Sequence, residues 1–268
     1  MKEEFESLQQ YLEYLQSRGR YCFLRSDVIA KSYLSDNAFK KAVHRLIQKN
    51  KVIRIRGDFY TILPLEYQAS GSLPASWFID FFMRYLEQPY YCGLLTAAAL
   101  HGAAHQQPMV FQVVSTEPMR PIQVSNLKIE FLYKKEIQPH FYQPIKTVTG
   151  SMNVATPEMT AFDLVRYMGV AGQVNHVATV LCELVEQLDA EKLGALLKND
   201  DVEITAAQRL GYLLDVLQLP IDLTPLEHQL KQRKMSRRLL VLSSSEPIIE
   251  YNQRWHILVN EPVEPDEL

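Results

Sequence analysis

The stretch SDNAFKKAVHRLIQKNKVIRIRGDFYTI, residues 35–62, decides the fold. Its first half has the marks of a helix. Ser35 suits the N-cap, and Asp36 stands in the first turn, where the helix dipole favours an acid. Phe39, Val43, Leu46 and Ile47 recur at helical spacing as an inner face. Lys40, Lys41, His44, Arg45 and Gln48 fall mainly on the outer side. After Asn50 the pattern changes. Lys51 to Arg56 and Phe59 to Ile62 are two β-rich runs separated by Gly57-Asp58, which predicts a hairpin. Residues 35–56 carry seven basic side chains and one acid, Asp36.

Working outward, a first helix is expected from about Glu3 to Ser17, with Phe5, Leu8, Leu12 and Leu15 as its buried stripe. Gly19 suits its C-terminal cap. Tyr21 to Leu24 reads as a short strand. Ser26-Asp27 can cap a short second helix carrying Val28 and Ile29. Helix, strand, helix, helix and basic hairpin make the order of a winged helix-turn-helix, over residues 1–66. The outer face of its third helix fits a major groove. Lys40, Lys41 and Lys49 suit phosphates, His44 shares their face, and the planar fork of Arg45 suits a guanine edge. Arg54 and Arg56 on the hairpin would reach the flanking backbone or the minor groove. The competing reading is a solvated basic helix in a fold used for protein contacts.

Charge divides the chain. Residues 1–64 hold 12 Lys/Arg and 7 Asp/Glu, while residues 65–268 hold 16 and 24. A net charge of -3 therefore hides a basic head on an acidic body, which assigns a polyanion partner to the head alone. No run approaches the ~18 apolar residues of a membrane span. The opening Met1-Lys2-Glu3-Glu4 has no apolar stretch and does not read as a signal peptide. Cys22, Cys92 and Cys182 stand far apart, as expected of inert thiols in a reducing cytosol.

The Ser/Gly/Pro-rich residues 67–76 mark the boundary with a body at 77–268. That body reads as mixed α/β with a helical C-terminal half, so the whole chain is α+β. An aromatic helix through Trp77, Phe78, Phe81, Phe82 and Tyr85 comes first, then an alanine-dense helix from Tyr91 to about Leu100. Strands are expected at Val110–Val114, Leu127–Tyr133 and Met152–Ala155. Thr156-Pro157-Glu158 opens a helix, and the pattern stays helical to about Lys234. Asp163 and Arg166 are expected to pair on a helix surface. Residues 254–259 look like a last strand.

Chemistry is sparse. His101 and His105, four apart, have metal-ligand spacing, but Gly102 between them favours a helix-end turn, and no third ligand is evident. Glu130 with Lys134-Lys135 lacks the spacing of a nuclease site and reads as charges on an edge strand. No phosphate loop, nucleophile elbow or Cys/His pair is present. No catalytic residue, metal or cofactor is expected.

The block Tyr90 to Pro108, with its His101-Gly102-Ala103-Ala104-His105-Gln106-Gln107-Pro108 end, resembles the AbiEi family, antitoxins of abortive-infection, type IV toxin–antitoxin systems. Ala155 to Val165 resembles a second segment of that family. The winged-helix head and the Trp255 region are consistent with it. The resemblance implies a neighbouring gene for a nucleotidyltransferase-like toxin and repression of the shared promoter through inverted repeats. It also implies that the body counters the toxin without a stable complex. It carries no catalytic residues; for the body it points to His101–Pro108 as a candidate surface, with a tight helix-to-strand connection as the structural alternative. A stand-alone regulator with a ligand-sensing body is the other functional reading.

Overall fold

The computed structural model describes residues 5–103 and 108–265. The chain is mixed α+β and divides into two compact units. One comprises Met1–Tyr91, Met109–Ile137 and Pro144–Asn153; the other comprises Cys92–Pro108, Gln138–Gln143 and Val154–Leu268.

The first unit opens with α1 (Leu8–Ser17), β1 (Cys22–Leu24), α2 (Arg25–Lys31), α3 (Asp36–Gln48), β2 (Val52–Arg56) and β3 (Phe59–Ile62). This is the expected order. The three strands form an antiparallel sheet, β1-β3-β2. α1 begins later than Glu3 because the Ser7 hydroxyl accepts from the Gln10 amide and caps the helix there. α2 starts one residue before Ser26 and has no side-chain cap; the Arg25 amide donates instead to the Asp58 carbonyl of the hairpin. Leu8, Tyr11, Leu12, Leu15, Phe23, Val28, Phe39, Val43, Val52, Tyr60 and Ile62 close into one core drawn wholly from this head. Tyr60 stacks on Phe23 and takes the ring of Phe39 edge-on, so β3 seats α3.

The chain continues through α4 (Ile79–Tyr85), β4 (Tyr90–Cys92), α5 (Leu94–Leu100), β5 (Phe111–Ser115), β6 (Ile122–Val124), β7 (Leu127–Tyr133), β8 (Tyr142–Thr147) and β9 (Gly150–Ala155). The six strands make a sheet of order β6-β7-β5-β4-β9-β8, most of which lies in the first unit. β5 and β7 run parallel, and β6 antiparallel to β7. Tyr91 and Cys92 are fully buried strand residues, not the start of the alanine helix, because the helix begins only after Gly93. β7 is an inner strand, so Glu130 does not stand on an edge. The stretch 67–76 is ordered: the Ser70 hydroxyl donates to the Tyr67 and Ser72 carbonyls, Ser125 donates to the Ser70 carbonyl, and Leu73 is buried.

The second unit centres on α6 (Pro157–Arg166), surrounded by α5, α7 (Gln173–Leu184), α8 (Ala190–Lys198) and α9 (Ile204–Val216). Thr156 caps α6 at the Met159 amide, with Pro157 at the first helical position, as expected. Asp163 is fully buried and does not form the expected surface pair, since α6 is covered on nearly every side; Arg166 instead bridges Glu203 at 3.0 Å. After α10 (Thr224–Lys231) the chain ends in β10 (Arg238–Leu239), β11 (Glu250–Asn252) and β12 (Ile257–Val259).

Trp255 locks this terminal sheet onto α9. Its indole nitrogen donates to Asp215 at 2.8 Å, its carbonyl accepts from Gln208 at 2.9 Å, and Arg254 stacks on the ring while pairing with Asp215 and Glu227. Gly211 makes room: a Cβ there would lie 2.3 Å from the indole carbons. Gly211→Ala should destabilise the protein by about 1–3 kcal/mol through overpacking and lower the thermal midpoint by several degrees. Gly169→Ala, in open space, should leave it nearly unchanged; equal midpoints for both variants would remove the lock.

Candidate nucleic-acid interface

α3 is held from below and dressed from above. Ser35 caps it by accepting from the Ala38 amide at 3.3 Å. Phe39 and Val43 are buried, and Leu46 packs against the same core. Ile47 is not on the inner face: at 100° per residue it lies about 80° round from Phe39 and is exposed. The opposite side is polar. Asn37, Lys41, His44, Arg45 and Gln48 share its centre, with Lys40 and Lys49 on its flanks, and all seven are exposed.

These side chains are not equivalent. Lys40 pairs with Asp36 at 2.8 Å, and Arg25 also bonds Asp36. Lys40 and Arg25 hold the Asp36 carboxyl below its usual range, while Asp36 raises the Arg25 guanidinium. His44 and Gln48 join side chains at 3.0 Å. The Arg45 Nε donates to the Lys41 carbonyl at 3.3 Å, which lays the guanidinium back along the helix. Among the described residues no carboxylate pairs with Lys41, Arg45 or Lys49. A cationic face without internal counter-ions keeps its charge available for an anion. Asn37 went unremarked in the sequence reading. It lies in the first turn of α3, the end from which recognition helices reach base edges, and an amide can pair with adenine.

The hairpin divides the two arginines assigned to it. Simple alternation would put Arg54 and Arg56 on one face of β2. A bulge intervenes: Arg54 stands opposite Tyr60, but Arg56 stands opposite Phe59, so Ile55 is the extra residue and the two arginines face opposite ways. Arg54 lies over the Tyr60 ring on the head's side and bonds the Gly57 carbonyl at 2.6 Å. Arg56 donates to the Arg120 carbonyl, and to that of Pro121 at 3.3 Å, with Phe131 beneath it. Burial and the nearby Arg120 charge push its guanidinium below its ordinary value. Lys40, Lys41, His44, Arg45 and Lys49 are thus gathered on one helix, Arg54 lies beside their core, and Arg56 is turned away.

Among the described residues, those weighed for other chemistry do not assemble. The His101 Nε2 lies 2.7 Å from the Ala155 carbonyl; His105 is outside the described residues, as are residues 104–107 of the candidate surface His101–Pro108. Lys134 is buried. No group of three or more metal-ligating side chains occurs among the described residues, and no described helix is long and apolar enough to cross a membrane. The two segments that carry the family resemblance do meet: Cys92 pairs with Val154 across parallel strands, and His101 reaches Ala155.

Residues 91–216 match the model of the AbiEi antitoxin C-terminal domain. This part of the chain belongs to that family. The crystal structure of RV2827C protein from Mycobacterium tuberculosis is similar with a TM-score of 0.66, covering 94% of this chain and 90% of that one at 13% identity. At that identity the likeness is one of fold. No curated protein matches the chain. The matched domain is that of an antitoxin, and the match spans a little under half of the chain.

Because the folded state lowers the Asp36 carboxyl below its unfolded value, that residue stabilises the head above the unfolded carboxylate range and ceases to as pH falls through the folded value. The stability advantage of the native protein over Asp36→Asn should therefore be constant near neutral pH and shrink below about pH 4. Denaturant unfolding at both pH values reads this; an advantage that grows on acidification would contradict it.

Proposed function

We propose that the protein is a DNA-binding antitoxin of a type IV toxin–antitoxin system. α3 reads the protein's own promoter, and the AbiEi domain opposes a nucleotidyltransferase-like toxin. One observation carries the DNA half: the outer face of α3 gathers Lys41, Arg45 and Lys49 without a carboxylate partner, on a helix fixed by Phe39 and Val43. The element order of the head, that of a winged helix-turn-helix, supports it. Arg45 is the base reader, with Asn37 and Gln48 beside it. Lys41 and Lys49 neutralise phosphates, Lys40 and His44 flank them, and Arg54 extends the surface. Two copies on inverted repeats would sit a whole number of helical turns apart.

A groove of about 430 Å³ between α8 and α10, lined by Glu191, Lys198, Asp222, Thr224 and His228, is the feature that favours the second reading, a regulator whose body senses a ligand. It is an open groove whose lining mixes charged residues with Gly194, Ala195 and Pro225, whereas small-molecule sites are concave and mostly apolar, and the antitoxin reading stands ahead of it.

Anisotropy titrations with a duplex from the protein's own upstream region and with a scrambled duplex, from 50 to 200 mM salt, test the DNA half. Arg45→Ala should lose about 5–150-fold on the upstream duplex and little on the scrambled one. Lys49→Ala should weaken both alike and reduce the salt slope by about 0.9. Equal losses for Arg45→Ala on both duplexes would end its role as a base reader. For the antitoxin half, the adjacent open reading frame should arrest growth when expressed alone, and co-expression of the full chain should relieve that arrest. A harmless neighbour, or arrest without relief, would leave the regulator reading in front.

A further inference from the structure

The hairpin that a winged helix would offer to DNA has a second face, and that face is occupied. Phe59, fully buried, lies among Phe78, Phe81, Phe82 and Tyr85, with ring centroids 5.1–6.1 Å away. The Tyr85 hydroxyl accepts from the Asp58 amide at 3.2 Å. Gly57, at φ +55, passes so close that a Cβ would lie 2.8 Å from that hydroxyl. Arg56 bridges the carbonyls of Arg120 and Pro121, at the start of β6, and rests on Phe131 of β7. Next to it, Arg20 lies over Phe81, and Trp77 packs on Tyr21 and Tyr67. All of these residues belong to the first compact unit.

We infer that Arg56 and Phe59 are positioning residues: Phe59 clamps the hairpin to the α4 aromatic cluster and Arg56 clamps it to the β6–β7 edge of the sheet, making it a strut that fixes how α3 is presented. The bulge at Ile55 is what permits this, because it spends one arginine on each face of a single strand. A guanidinium suits the task, since its planar fork can donate to two carbonyls at once. Arg56 then makes no phosphate contact, in contrast to Arg54. Breaking the clamp loosens the hairpin and the residues it covers, while the part of the head's core that comes from α1, α2 and α3, Leu8 to Val43, stays packed.

Hydrogen exchange on the full chain tests the strut, and salt-dependent binding to a random duplex tests the absence of a phosphate contact. In Arg56→Ala, amides of residues 52–62 and 120–124 should exchange about tenfold faster, while those of α6 keep native protection. The salt slope should equal that of the native protein. Arg56→Lys keeps the charge but loses the fork; it should show the same acceleration, about threefold, and serves if the alanine variant does not fold. Unchanged exchange in the hairpin, or a slope reduced by about one charge, would overturn the inference. Should the native protein bind no duplex at all, the DNA proposal fails, and the exchange comparison alone decides the strut.

Discussion

Neighbouring residues on a strand point to opposite sides, and in β3 that rule joins two bodies of apolar matter. Tyr60 faces inward and stacks on Phe23 and Phe39, closing the core on which α3 rests. Phe59, the next residue back, enters the aromatic cluster of α4. Both rings are removed from water, and burial of such large side chains stabilises by roughly 1.5–3 kcal/mol each. The position of the basic helix therefore depends on a four-residue strand held from both sides. The bulge in β2 extends the same division to the charged residues, leaving Arg54 with the head and Arg56 with the sheet.

Charge explains why the outer face of α3 is available for an anion. An ion pair at the surface is worth little, yet it occupies the side chains that make it. Asp36, the one acid of residues 35–56, is already engaged by Arg25 and Lys40 at the start of the helix. Among the described residues, Lys41, Arg45 and Lys49 have no such partner. Phosphate binding gains chiefly from the release of counter-ions, so unpaired cations on a rigid face suit a polyanion. Asn37, His44 and Gln48 lie between them and add hydrogen-bonding groups where specificity would be read.

Much of this was legible in the chain itself. Helical spacing and the Ser35 cap located α3, and Gly57-Asp58 between β-rich runs located the hairpin, because both signals are local. Thr156-Pro157 fixed the start of α6 for the same reason. What escaped reading depends on distant partners. Nothing near Arg56 announces that Arg120 and Pro121 will supply carbonyls to it, or that a bulge will reverse its direction. Asp163 looked like a surface acid because Arg166 stands three residues on, at pairing distance along a helix, but four other helices cover α6. Tyr91 and Cys92 looked helical beside a run of alanines, yet a sheet whose strands come from distant segments claimed them. Ile47 fell at the margin of an apolar stripe, where spacing alone does not distinguish edge from face.

The claim on which the account turns is that the outer face of α3 is the part of this protein that meets DNA. Lysine footprinting of the intact protein, with and without a duplex from its own upstream region, tests it most directly. The account predicts that Lys41 and Lys49 lose reactivity when the duplex is added, while Lys192 and Lys198 on α8 react as before. Unchanged labelling of Lys41 and Lys49 in a complex that has demonstrably formed would contradict it and would place the DNA on another surface.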